Sequence, residues 1–140
     1  MKKVTKNNKG FSLIELIIVI AIMAVLVAII APNLTKYLGS SKKNTDAKNL
    51  DEIEATLKTC ITDYETTNGD LIAAGAATNI TVKFGGSGAT VTPANTSFKT
   101  IIDEAIDASK TQSKQTSGKV ANAVITKNAS GNYKIVMSWV

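Results

Sequence analysis

Histidine and arginine are absent from this 140-residue chain, cysteine occurs once, and aromatic residues make up 5% of it. Without histidine, the His-centred catalytic arrangements are excluded. One cysteine supplies neither a multi-cysteine metal site nor an intramolecular disulfide. The few aromatics form no basic-aromatic cluster of the kind that reads nucleic acid. The length, with 44% hydrophobic and 19% charged residues, fits one modest domain plus an appendage.

The 16 lysines exceed the 11 acids, for a formal charge of +5. Four of those lysines, Lys2, Lys3, Lys6 and Lys9, lie in the first ten residues with no acid among them, which leaves 12 lysines against 11 acids in residues 11–140. The basic character is therefore a local signal, and nucleic acid is not an expected partner. Immediately after it, Leu13 to Ala31 is apolar except for Glu15. That run approaches the roughly 20 apolar residues a membrane helix needs. Its continuity and basic flank favour a membrane span over a buried soluble helix, with the lysine-rich end in the cytoplasm and the rest of the chain outside the membrane. A carboxylate in such a run is costly, about 2.5–3.5 kcal/mol at a bilayer centre, so Glu15 needs an interfacial position or a partner.

A secretory signal is cut beyond its apolar segment, but here the character changes before it, at Gly10-Phe11. Residues 9–22, KGFSLIELIIVIAI, resemble the class III leader and N-terminal helix of type IV pilins, and the layout is similar to the short major pilins of clostridia. The resemblance implies that a prepilin peptidase cuts after Gly10 and methylates Phe11 as the new N-terminus. Glu15 would then meet the Phe11 amine of a neighbouring subunit during assembly. It also implies an α+β type IV pilin fold, a long N-terminal helix packed against a small antiparallel-sheet head. Residues 1–10 are then the leader, 11–32 the transmembrane and filament-core helix, 33–68 the exposed half of that helix and 69–140 the remainder of the head. Partners implied are identical pilin subunits, the prepilin peptidase, the assembly platform with its ATPases, and minor pilins. The expected location is a single-pass membrane precursor that becomes part of an extracellular surface pilus, with adhesion, surface motility or aggregation as outputs. A minor pilin or a type II secretion-like pseudopilin is the alternative, although no acid follows Asp107 to build the C-terminal calcium loop many pseudopilins carry.

Pro32 and Gly39 are the weak points of the long helix. Beyond them Leu50, Ile53, Leu57, Ile61 and Tyr64 recur every three or four residues, predicting a core-facing stripe that ends near Asn68-Gly69. A helix over 12–66 would be about 80 Å long. Cys60 reads as a small buried hydrophobe.

Residues 78–84 read as a strand, Gly85 to Gly88 as a turn and 89–92 as a return strand stopped by Pro93. The glycines lack the phosphate-loop pattern GxxxxGK[ST]. Phe98, Ile101, Ile102, Ala105 and Ile106 predict a helix from Ser97, its N-cap, to Ser109. Asp103, Glu104 and Asp107 flank its apolar face without the spacing of a calcium loop or a carboxylate pair, and read as solvated acids. Val120–Thr126 and Tyr133–Val140 predict a final hairpin with Ile135, Met137 and Trp139 on the packed face. No catalytic, metal or cofactor site is expected. A single-pass membrane enzyme and a DNA-uptake filament are the readings this composition disfavours.

Overall fold

Helical periodicity starts two residues after the proposed cleavage point, in a computed structural model that describes residues 11–73, 79–85 and 88–140. Helix α1 spans Leu13–Asn68, 56 residues, and includes both Pro32 and Gly39. Pro32 lacks the N–H that would reach back one turn, yet the helix runs through it, as it does through Gly39, where a side chain would meet nothing within 4 Å. The helix ends where the sequence indicates. Gly69 has φ +82°, a left-handed conformation that favours glycine, and its N–H closes on the Glu65 carbonyl at 3.2 Å.

The chain divides into two units, Met1–Ser40 and Ser41–Val140. In the first, every described residue from Phe11 to Ser40 is exposed. Its helix is long and apolar enough to cross a membrane. An apolar helix with no covering of its own calls for lipid or other protein around it.

The second unit is a two-layer α+β head. Strands β1 (Ile80–Gly85), β2 (Gly88–Thr92), β3 (Ala121–Lys127) and β4 (Tyr133–Trp139) form one antiparallel sheet in the order β2-β1-β3-β4. Register places Val82 opposite Val91 on one side and Ala123 on the other, and Ile125 opposite Ile135. Alternation then aims Ile80, Val82 and Phe84, with Ala121, Ala123 and Ile125, at one buried face. Against it lies the predicted α1 stripe: Ile53, Leu57 and Ile61 are buried, joined by Cys60, with Leu50 and Tyr64 half-buried beside them. Ile135 is buried, while Met137 and Trp139 pack at the margin of the same cluster.

Helix α2 spans Thr96–Ala105 and buries Phe98 and Ile102. Its cap corrects the sequence expectation. Asn95, not Ser97, is the N-cap: its Oδ1 accepts the Phe98 N–H at 2.9 Å, a contact worth about 1 kcal/mol, while Ser97 lies inside the first turn. The helix also stops short of Ser109. Ile106 leaves helical geometry at φ −104°, ψ 123°, and a separate 3-10 turn at Ala108–Lys110 follows, where Asp107 Oδ1 accepts the Ser109 N–H at 2.8 Å. Here the short polar side chain captures the backbone more readily than a further helical turn does. Strand β1 begins at Ile80; Thr78 of the expected strand and Gly86-Ser87 of the expected turn lie outside the described residues.

Candidate processing and assembly site

The start of α1 is a helix N-terminus built by the sequence Ser12-Leu13-Ile14-Glu15. Ser12 is the cap: its carbonyl accepts the N–H groups of Glu15 at 3.1 Å and Leu16 at 3.3 Å. Glu15, three residues on, turns its carboxylate back, and Oε2 accepts the Ser12 N–H at 2.9 Å. This is the returning half of a capping box, in which one side chain satisfies a donor the helix cannot. A carboxylate in the first turn also meets the positive end of the helix dipole, worth about 0.3–1 kcal/mol at an exposed site. Glu15 therefore has a task inside its own chain as well as the partner task expected of it. The S-x-x-E spacing ahead of an apolar run is the signal by which the sequence could have shown that cap.

Phe11, next to the proposed cut, is 86% exposed, and Gly10 lies outside the described residues. Glu15 bonds Ser12 rather than Phe11 within the chain. The apolar side chains that follow are open, from Leu13 at 78% to Ile30 at 56%. Phe11 is accessible, and the apolar helix that follows it can be buried among other helices or lipid.

Three anchoring clusters in the second unit escaped the sequence reading. Asp46 on α1 is buried, and its carboxylate accepts from Ser113 Oγ at 2.5 Å, Lys114 N at 2.6 Å and Gln115 N at 3.0 Å. Burial opposes its charge, but the bonds from Ser113, Lys114 and Gln115 outweigh that and hold it below the usual carboxylate range. Asp103, expected in solvent, accepts the Ala89 N–H at 2.7 Å at the start of β2 and pairs with Lys99. At the far end of α1, Tyr133 Oη donates to Glu65 Oε1 at 2.5 Å and accepts the Ile72 N–H at 3.2 Å. Lys127 sits 5.1 Å over the Tyr133 ring and pairs with Asp70 at 2.8 Å. Tyr133 thus packs and anchors the end of α1. The Cys60 thiol is buried and pushed up by burial and then by Asp63, which keeps it a thiol rather than a nucleophilic thiolate. Among the described residues no group of three or more acids, cysteines or histidines could hold a metal ion.

These features place a capped apolar helix, long and apolar enough to cross a membrane, ahead of a small α+β head. The prokaryotic N-terminal methylation motif matches residues 5–31 of the chain. A prepilin peptidase-dependent protein A of Clostridium perfringens is 44% identical over 55 residues, 38% of this chain and 39% of that one. The type IV major pilin protein PilA of Myxococcus xanthus is 48% identical over 44 residues, 31% of this chain and 20% of that one. The likeness to these proteins lies in the N-terminal segment, and the long N-terminal helix with its small four-stranded antiparallel sheet matches the α+β type IV pilin fold. The chain spans about two-fifths of the first relative's length and a fifth of the second's. No solved structure matches it.

Proposed function

We propose that the chain is the structural subunit of a type IV pilus, inserted as a membrane prepilin, cut after Gly10, N-methylated at Phe11 and polymerised through α1. Residues 1–10 act as the leader on the cytoplasmic side, 11–32 cross the membrane, and the processed subunit joins a surface filament. The carrying observation is the first turn of α1: a capped start with a carboxylate at Glu15, followed by an apolar helix exposed on all sides. Once the leader is gone, the Phe11 amine is a new positive charge four residues from Glu15. In a dry bundle, the Glu15 carboxylate of one subunit lowers the cost of burying the Phe11 amine of the next. The Ser12 bond holds Glu15 at the helix tip until then.

Prepilin peptidase and identical subunits are the first partners, followed by the assembly platform and, through it, its ATPases. Pro32 and Gly39 are the places where α1 can bend during packing. Intact-mass measurement of sheared surface filaments tests this reading. It expects the dominant species to begin with N-methylated Phe11, and absence of the chain from such filaments overturns it. A minor species in the same filaments, or retention in the cell envelope, assigns the chain instead to a minor pilin or a pseudopilin. Glu15→Ala is expected to be processed normally yet to lower filament yield at least tenfold, and wild-type yield would remove Glu15 from assembly.

A further inference from the structure

Positive charge in the second unit gathers at one end of it. Residues 41–50 and 107–119 hold six lysines against two acids, Asp46 and Asp107. The two stretches are fixed together, because Ser113 Oγ, Lys114 N and Gln115 N all donate to the Asp46 carboxylate. Lys42 and Lys43 precede Asp46 by four and three residues, so they share its side of α1, one turn nearer along the chain to the apolar segment. Lys114 and Lys119 stand on the loop that Asp46 clasps, which the Ser113 N–H closes on the Lys119 carbonyl at 3.0 Å.

Little of this charge is neutralised inside the head. Asp46 is buried and turned to its three donors, and Asp107 Oδ1 accepts the Ser109 N–H. Lys110 pairs with Glu52, and Lys48 stands one turn before Asp51 and Glu52. Lys42, Lys43, Lys114 and Lys119 are exposed and make no ion pair among the described residues. Lys114 and Lys119 reach only neutral carbonyls, those of Ser109 and Trp139, at 3.4 Å each. A carboxylate at Val140, which is paired with Val120, would offset one of the four charges. At the other end of α1 the balance reverses: Asp63, Glu65 and Asp70 lie there with two lysines, Lys127, which pairs with Glu65 and Asp70, and Lys134.

The basic end is also the one the chain ties to its apolar helix. Eleven residues separate Ala31, the last of the apolar run, from Lys42, about 16 Å of helix. The headgroup layer takes about 5–8 Å beyond the hydrocarbon, so this tether lets the lysines come within about 10 Å of lipid phosphates. That is about the screening length at 0.1 M ionic strength. Each lysine near an anionic surface strengthens its attraction about fivefold, and a tether this short keeps the surface at an effective concentration of about millimolar.

We propose that Lys42, Lys43, Lys114 and Lys119 form a docking surface for the phosphate groups of anionic lipid, by which the head rests on the outer face of the membrane until the subunit leaves it. This rests on the reading of the chain as a membrane-anchored precursor. The acidic balance at the far end of α1 turns that end away from the same surface, so the attraction orients the head as well as holding it.

Amine labelling of the full chain in lipid vesicles tests it. Neutral vesicles of phosphatidylcholine are compared with vesicles holding about one quarter phosphatidylglycerol, neither lipid bringing a reactive amine of its own. A lysine-acetylating reagent is added outside, and labelling at each lysine is read by mass spectrometry. The anionic vesicles are expected to slow labelling of the four lysines about fivefold or more, to leave Lys83 and Lys134 unchanged, and to lose the effect at about 1 M salt, where the screening length is about 3 Å. Equal labelling in the two lipids, or equal slowing at Lys83 and Lys134, overturns the proposal. Lys114→Glu with Lys119→Glu should return Lys42 and Lys43 to their rate in neutral vesicles, whereas Lys114→Arg with Lys119→Arg should keep them protected. Protection that persists in the glutamate pair would mean that the four lysines do not act as one surface. Flotation separates this proposal from the reading beneath it: a chain that stays with neutral vesicles at the same high salt but shows no protection keeps its anchor and loses the docking surface, and a chain that leaves them loses both. Protection by duplex DNA in neutral vesicles, with none from the lipid, would assign the cluster to nucleic acid and equally overturn the proposal.

Discussion

The Asp46 carboxylate of α1 accepts the Lys114 backbone N–H at 2.6 Å, tying the long helix to the segment that leads into β3. With Ser113 Oγ and Gln115 N it forms a three-donor clasp around one buried charge. Asp46→Ala leaves those donors unmet, and hydrogen bonds to a charged group are worth about 1.5–3 kcal/mol. A loss of about 2 kcal/mol in chemical denaturation is expected. The pH dependence has a fixed sign. A carboxyl held below its ordinary value in the folded unit stabilises it above about pH 4, and that contribution is lost as pH falls through the lowered value. Asp46→Asn should therefore lower the melting temperature at neutral pH and flatten its fall below pH 4. An acid limb unchanged in Asp46→Asn would assign that limb to Asp103 and Asp107, which are held low by their own bonds to Ala89 and Ser109.

A second anchor joins the last turn of α1 to β4. Tyr133→Phe removes the hydroxyl that donates to Glu65 and receives from Ile72, and it should cost about 1–2 kcal/mol because the site is only partly buried. Burial, followed by the neighbouring Glu65, pushes the Tyr133 phenol up. The neutral phenol is thus favoured on folding, and its contribution holds below about pH 10 and is lost as pH rises beyond it. Ultraviolet titration should show one tyrosine ionising above the ordinary range, absent in Tyr133→Phe. An unshifted set of tyrosines would count against the buried bond.

The helix and the two hairpins were legible because they rest on local periodicity: Ile53, Leu57 and Ile61 at helical spacing, and Ile135, Met137 and Trp139 at strand spacing. The N-terminal methylation motif was legible because it too is local: lysines, Gly10, Phe11, Glu15 and the apolar run follow one another in sequence. What escaped depends on partners far along the chain. Asp46 reads as one more polar residue after Lys42-Lys43, and its donors lie more than 60 residues away. Asp103 reads as a solvated helix acid until β2 supplies the Ala89 N–H. The strand order, with β1 between β2 and β3, is likewise a long-range fact that alternation in a single strand does not carry. Asn95 was missed by two residues because both it and Ser97 are good caps, and Tyr64 decides between them: its hydroxyl accepts Asn95 Nδ2 at 3.0 Å.

Gly88 is the residue where a single methyl group should do the most damage. It opens β2 at φ +106°, a conformation side chains rarely adopt, and a Cβ there would stand 2.9 Å from Asp103 Oδ1. That oxygen cannot withdraw freely, because it holds the Ala89 N–H at 2.7 Å and its carboxylate also pairs with Lys99. Gly88→Ala therefore meets backbone strain and a displaced hydrogen bond together, each of order 1–3 kcal/mol. A fall in melting temperature of about 10 °C or more is expected for a head of this size. The double variant Gly88→Ala, Asp103→Ala separates the two causes: removing the carboxylate relieves the collision but not the strain. Partial recovery relative to the additive sum, seen as a positive coupling in a double-mutant cycle, is the expected result. Strict additivity would mean that the Gly88 backbone, and not its approach to Asp103, sets the requirement for glycine.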